Sequence, residues 1–332
     1  MMISLSIWKM TKRLQNRVAD SRLTLPLLVA FSLAVWVVSG LLIPALPFSA
    51  SQLLNAAWVQ FACFMLCAYL MAELNNSCTL IRIYSPMVAG TYLAIMCAGC
   101  FLFPPMPGAI AQLCAAAFYI AFFRCYQDKE SAAWNFYAFL CLGLASTVYI
   151  QVLVYVPFLW LLMYFRLTSL SRTTFCASLF GLLLPYWFAL PIALYHGDFE
   201  FLTRHFTAIA TVVVPPPYSP LTLNQLLFFA FLVAIGITGT IHYWRSLAAD
   251  SIRTRQFFRC FIAIWLLSAL FTILQPQHYD LFVRIMVINI APLIAHFLSL
   301  THTRATNIAF IALSAVTLLL TIFSLWKSSY NF

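Results

Sequence analysis

Charged residues are the scarcest feature of this sequence. Asp, Glu, Lys and Arg make up only 8% of its 332 residues, whereas 64% are hydrophobic and 17% are aromatic. So few charges cannot cover a surface that faces water, so most of the chain is predicted to be solvated by lipid. Backbone polar groups in hydrocarbon must be satisfied within helices. The composition therefore predicts an all-α, polytopic transmembrane helical bundle.

The number of membrane spans follows from the apolar segments. A helix needs about 20 apolar residues to cross roughly 30 Å of hydrocarbon. Eleven segments approach this length, at residues 23–44, 53–72, 85–103, 108–124, 132–148, 150–165, 174–195, 223–244, 257–275, 281–300 and 305–326. The fifth and sixth are short and meet at residues 146–149 with almost no loop. Merging them would give ten spans and reverse the orientation of the second half.

The positions of Lys and Arg favour eleven spans over ten, because short cytoplasmic loops retain basic residues. With the N-terminus cytoplasmic, fifteen of the eighteen fall on the cytoplasmic side: Lys9, Lys12, Arg13, Arg17, Arg22, Arg82, Arg124, Lys129, Arg166, Arg172, Arg245, Arg253, Arg255, Arg259 and Arg304. Arg204 and Lys327 lie outside, and Arg284 lies within a span. Ten spans would place six of these arginines on the wrong face. The C-terminus is therefore predicted to be exported.

These assignments divide the chain into three parts. Residues 1–22 form a basic cytoplasmic leader, residues 23–326 a single transmembrane domain, and residues 327–332 an exported tail. The leader alternates basic and apolar residues. It is interpreted either as a topogenic signal for the first span or as an amphipathic helix on anionic headgroups.

Sequence motifs exclude several kinds of chemistry. No Walker loop, dinucleotide fingerprint, nucleophile elbow or zinc-protease helix is present, so no cofactor or metal is predicted. None of the ten cysteines falls in an exported loop, and Cys97 and Cys100 lie in an apolar run that favours buried, hydrophobic roles. The net charge of +10 is spread over the cytoplasmic segments. Orientation explains this charge, so nucleic acid is not a predicted partner.

Polar residues on the exported face form two groups. The longest exported loop, at about 196–222, contains His196, Asp198, Glu200, Arg204 and His205. If this loop is helical, His196, Glu200 and Arg204 share one face at i, i+4 spacing. The second group contains Gln275, Gln277, His278, Asp280 and Arg284. Asp280 and Arg284 can pair at i, i+4, and an ionisable residue at membrane depth is a functional-site candidate.

Convergence of the two groups would create a site for a phosphate or pyrophosphate headgroup. Arginine and histidine would bind the anion, and a carboxylate or imidazole would move a proton. The catalytic candidates are Asp198, Glu200 and Asp280; the anion-binding or headgroup-binding candidates are Arg204, Arg284, His196, His205 and His278. An intrahelical ion pair that snorkels to the interface is the structural alternative for Arg284.

Three runs carry a resemblance to a known family: 74–82, 139–149 and 172–187, the last reading RTTFCASLFGLLLPYW. They resemble an uncharacterised family of polytopic inner-membrane proteins of Bacteroidota, over about the middle half of the chain. More distantly, the order of paired spans around residues 143–166 and the ending 280–300, with Pro292, are similar to polytopic glycosyltransferases that use polyprenyl-phosphate sugars. Those enzymes carry an acidic catalytic residue in the first exported loop, whereas residues 43–53 here contain no Asp or Glu.

The resemblance implies a multi-pass protein of the bacterial inner membrane. One hypothesis is a divergent or non-catalytic relative of lipid-linked glycan enzymes in envelope assembly, with membrane lipids and a polyprenyl-phosphate-linked glycan as partners. A second is a structural subunit that binds other envelope proteins. A third is a small-solute transporter, although no inverted repeat is evident.

Overall fold

The computed structural model describes residues 13–42, 50–103, 106–196, 199–210, 216, 218, 219 and 221–330. Over these residues all regular secondary structure is helical, in α-helices and short 3-10 and π turns that are joined by loops. The helices are α1 (Leu14–Asp20), α2 (Thr24–Leu42), α3 (Ala50–Cys78), α4 (Met87–Ala98), α5 (Met106–Arg124), α6 (Ala132–Val148), α7 (Val156–Leu162), α8 (Arg172–His196), α9 (Phe199–Ala210), α10 (Leu223–Ser246), α11 (Ile252–Leu274), α12 (Tyr279–Leu300) and α13 (Arg304–Tyr330).

The predicted all-α membrane architecture is confirmed at this level. Among the described residues, eight helical segments are long and apolar enough to cross a bilayer. A ninth would come from α1 and α2 if this pair, bent by 91°, forms one span, and α4 and α6 are shorter apolar helices. Each of the eleven predicted segments contains helical backbone. The count of eleven spans and the orientation of the termini stay predictions.

Helix α12 forms the centre of the bundle. Every residue from Leu281 to Ser299 is buried, and the helix packs against α4, α5, α10 and α11. Gly239 permits the close approach of α10, because a Cβ at this position would lie 2.9 Å from the Cβ of Leu293. Different polar groups lie at the two ends of α12. The end of the bundle at the start of α12 is called the Asp280 end, and the opposite end, where Asp250 contacts His296 of α12, is called the Asp250 end.

The helix breaks where the fifth and sixth predicted segments meet. α6 ends at Val148, and Tyr149 has an extended backbone before a 3-10 turn leads into α7. α8 packs along α6 at very short range, since a Cβ on Gly181 would lie 2.5 Å from the carbonyl oxygen of Phe136. This close packing fixes α6 beside α8.

Helix α1 is fixed to the protein at the Asp250 end. The side-chain nitrogen Nε2 of buried Gln15 donates to the carbonyl of Leu298 at 2.7 Å and to the hydroxyl of Thr301 at 2.7 Å. Ser85 donates to the carbonyl of Ala19 at 2.9 Å. The described part of the basic leader is therefore a docked helix, whereas Lys9 and Lys12 lie outside the described residues.

Candidate functional site

Arg284 is buried one turn into α12 and is held by protein acceptors. Its side chain is 2% exposed, and its Nε donates to Oδ1 of Asp280 at 3.0 Å. One terminal nitrogen donates to Oε1 of Gln112 at 3.3 Å, and the other donates to the carbonyl of Leu102. The predicted Asp280–Arg284 ion pair is present. Its guanidinium is buried within the bundle, and its carboxylate is partly exposed.

Gly108 leaves room for this ion pair. A Cβ at this position, near the start of α5, would collide with Oδ2 of Asp280 and with the guanidinium of Arg284. Any side chain other than hydrogen would therefore displace the pair. α5, α12 and the 3-10 turn Cys100–Leu102 are thus brought together around a single guanidinium.

Asp280 is the accessible member of the pair. Its side chain is 26% exposed, and its Oδ2 accepts a hydrogen bond from the hydroxyl of Tyr149 at 3.3 Å. His278, half-buried on the preceding turn, lies 3.2 Å from the side-chain nitrogen of Gln151. The carboxylate is therefore oriented by a buried cation and a phenol, while part of it stays exposed.

The group predicted in the 196–222 loop reaches residues 146–151 through α9. Nε2 of His205 lies 2.9 Å from the carbonyl oxygen of Ser146. The hydroxyl of Ser146 is 2.8 Å from that of Tyr186 on α8. Tyr149 and Gln151 contact the other group, at Asp280 and His278, so both groups meet residues within the segment 146–151. Among the described side chains, the two predicted groups thus meet through this shared segment.

The other candidates in the 196–222 loop are placed differently. α8 ends at His196 and α9 begins at Phe199, and residues 197 and 198 between them lie outside the described residues. The face predicted for His196, Glu200 and Arg204, on the condition that the loop is helical, therefore stays a prediction. Arg204 is exposed on α9. Asp198 lies outside the described residues, as do the side chains of His196 and Glu200.

Several residues of this site were missed by sequence reasoning. Gln112 and Leu102 hold Arg284 from helices distant in sequence, and a lone Gln or a backbone carbonyl carries no recognisable signal. Tyr149 and Gln151 did carry one, because polar residues at a break between two short apolar segments are typical of a helix end at a site.

A second buried polar cluster lies at the Asp250 end, and the sequence analysis did not assign it. The Asp250 side chain is fully buried; its Oδ2 lies 3.1 Å from Nε2 of His296, and its Oδ1 lies 3.1 Å from Nε of Arg82. The rings of His296 and His242 are 5.4 Å apart. Within the described part of the chain, Nδ1 of His296 and Nε2 of His242 are buried without a hydrogen-bond partner. The cluster joins α10, α12 and the loop before α4.

The two clusters differ in what they can do chemically. The Asp250 cluster is enclosed, which suits a structural connection. The Asp280 site combines an oriented, partly exposed carboxylate with imidazoles and a phenol, which suits proton transfer. Comparisons of the chain with protein-family models, curated proteins and solved structures found no match.

Proposed function

We propose that the protein binds a polyprenyl-phosphate-linked glycan at the Asp280 end and acts in envelope assembly at the bacterial inner membrane. The observation that carries this proposal is the Asp280 carboxylate, oriented by a buried guanidinium yet 26% exposed. An unpaired arginine at membrane depth is costly, and ionisable residues kept there usually serve a site. The 196–222 segment and the start of α12 form the exported face in this proposal.

Asp280 and Arg284 have different roles here. The guanidinium of Arg284 is used by Asp280, Gln112 and Leu102 inside the bundle, so it positions the carboxylate rather than contacting the ligand. Arg204 on exposed α9 supplies positive charge for the lipid phosphate. His278 and His205 supply imidazole donors beside it.

In a catalytic form, Asp280 is the general base. It accepts the proton of an acceptor hydroxyl while that oxygen bonds to the anomeric carbon of the sugar. The bond between that carbon and the phosphate oxygen breaks, and polyprenyl phosphate leaves with the electron pair. A carboxylate held within hydrogen-bond reach of the hydroxyl meets the requirement for this step.

Helix α9 is suited to a lipid-linked ligand. Its apolar and polar residues are segregated on opposite faces, as in helices that lie in the membrane interface. The ring of Phe206 contacts that of Tyr186 with centroids 5.0 Å apart, so α9 is packed close to the segment 146–151. A lipid phosphate at interface depth would be level with both groups.

A structural subunit of an envelope complex is the second candidate. It is favoured by the saturation of Arg284, whose three nitrogens all have protein acceptors. An internal ion pair that only holds α5, α12 and the turn Cys100–Leu102 together would look the same. The two candidates differ in whether a ligand uses the exposed groups.

Binding tests the proposal first. Purified protein in nanodiscs is incubated with polyprenyl phosphate, and native mass spectrometry measures occupancy. The Arg204→Gln/His278→Gln variant is expected to lose roughly tenfold or more in affinity, since charge-assisted hydrogen bonds contribute about 1.5–3 kcal/mol each. Arg172→Gln, which removes an exposed arginine at the start of α8, is the matched control. Equal binding by all three proteins would favour the structural subunit.

Turnover is measured separately with a polyprenyl-phosphate hexose. The Asp280→Asn/Arg284→Met variant should bind this lipid as the wild type does and fail to release polyprenyl phosphate. Glu130→Gln, which removes an exposed carboxylate elsewhere, should behave as the wild type. Binding without release by the wild type would identify a non-catalytic member, and release by the double variant would contradict the role of Asp280.

A further inference from the structure

An apolar cavity of about 250 Å³ opens in the Asp250 half of the bundle. It lies between α1, α2, α4, α10, α12 and α13, far along α12 from the Asp280 site. Its wall includes Val18, Phe31, Ala94, Phe231, Leu298 and Ser314. The cavity is therefore separate from the site described above.

The two threonine hydroxyls of the wall are already bonded to backbone carbonyls. The hydroxyl of Thr91 is satisfied by the carbonyls of Met87 at 2.8 Å and Ala291 at 2.9 Å. The hydroxyl of Thr317 donates to the carbonyl of Leu313 at 2.8 Å. Apolar cavities of about 150 Å³ stay dry and take up apolar molecules, because water there lacks polar partners. In a bilayer the available apolar molecule is a hydrocarbon chain.

The neighbourhood of the cavity is basic. Val18 of α1 lines it, and the adjacent Arg17 is exposed, as is Arg22 just beyond the helix. Arg13 donates to the carbonyl of His302, which places the N-terminus of α1 beside exposed Arg304.

Four arginines, Arg13, Arg17, Arg22 and Arg304, thus accompany a single carboxylate, Asp20, on α1 and the start of α13. Because α1 turns by 91° from α2, it lies across the end of the bundle. Basic residues near a membrane surface attract anionic lipids.

We propose that the cavity is a binding site for one anionic glycerophospholipid, with an acyl chain among α2, α4, α10 and α13 and the phosphate against Arg17 and Arg22. α1 links the two parts of the ligand, since Val18 touches the chain while Arg17 faces the phosphate. The bond between Gln15 and the end of α12 holds α1 in this position. The site does not depend on the function proposed for the Asp280 end.

The test is lipid retention by the full-length protein. Protein purified in mild detergent is supplied with equal amounts of phosphatidylglycerol and phosphatidylcholine, and native mass spectrometry counts bound lipids. The wild type is expected to hold one phosphatidylglycerol in preference to phosphatidylcholine. Ser314→Phe, which fills the cavity, should abolish this bound lipid. Ala315→Phe, the adjacent exposed position on α13, should retain it.

A second variant avoids any effect of cavity filling on folding. Arg17→Gln/Arg22→Gln changes two exposed side chains. It should reduce the preference for phosphatidylglycerol roughly thirtyfold, because each arginine near the membrane surface contributes to the binding free energy of an anionic lipid. Lys129→Gln/Arg172→Gln, two exposed basic residues between α5 and α8, should leave it unchanged. The proposal would be overturned if the two phenylalanine variants retained phosphatidylglycerol equally, or if Arg17→Gln/Arg22→Gln kept the preference for it. It would also be overturned if the protein selectively retained polyprenyl phosphate instead.

Discussion

Removing the negative charge of Asp280 should destabilise the protein more than removing Arg284 itself. Asp280→Asn keeps the shape of the side chain against Gly108, but it leaves a guanidinium that is 2% exposed without its counter-charge. Breaking a buried ion pair from one side costs about 3–5 kcal/mol. Arg284→Met leaves the carboxylate instead, and this group is 26% exposed and can be hydrated.

The expected cost of Arg284→Met comes mainly from Gln112, which is 3% exposed. Its Oε1 loses the donor at 3.3 Å, and an unsatisfied buried acceptor costs about 1–3 kcal/mol. In the double variant Asp280→Asn/Arg284→Met, the uncompensated charge is gone. The double variant should therefore be about as stable as Arg284→Met and clearly more stable than Asp280→Asn.

Unfolding by a denaturing detergent in mixed micelles measures these differences. The nine tryptophans supply an intrinsic fluorescence signal, and gel filtration checks that each variant is folded before titration. A coupling free energy of several kcal/mol between the two positions is expected from the double-mutant cycle. Additive costs, or a greater loss from Arg284→Met than from Asp280→Asn, would refute the assignment of Arg284 as the buried and dependent partner.

Three further results are expected. Asp250→Asn should lower the free energy of unfolding by about 1–3 kcal/mol in the same titration, because the buried carboxylate that contacts His296 and Arg82 loses its charge. No loss would mean that the cluster is not stabilising. Gly239→Ala should lower the free energy of unfolding by about 1–3 kcal/mol, because the new methyl group overpacks against α12. Gly40→Ala places a Cβ with nothing within 4 Å and should stabilise α2 slightly. Similar effects at both positions would argue against close packing at Gly239. A reporter enzyme fused after Phe332 should be active outside the cytoplasm, and a cytoplasmic signal would contradict eleven spans.

The candidate site was predictable in part. The pairing of Asp280 with Arg284 followed from i, i+4 spacing, because residues four apart share a helix face whatever surrounds them. The depth of Arg284 did not follow, since it depends on Gln112 and Leu102 from other helices. The single face drawn through His196, Glu200 and Arg204 stays a prediction, because residues 197 and 198 lie outside the described residues.

The helical membrane architecture and the position of nearly every helix were predictable from the amino-acid sequence. Composition and the length of apolar runs are local properties, and the bilayer requires each segment to satisfy its own backbone. Tertiary structure alone decided which helix became the buried centre, α12, and which polar residues met there. Asp250 with His296, and Tyr149 with Asp280, are far apart in sequence, and only the packing of several helices brings such side chains within hydrogen-bond distance.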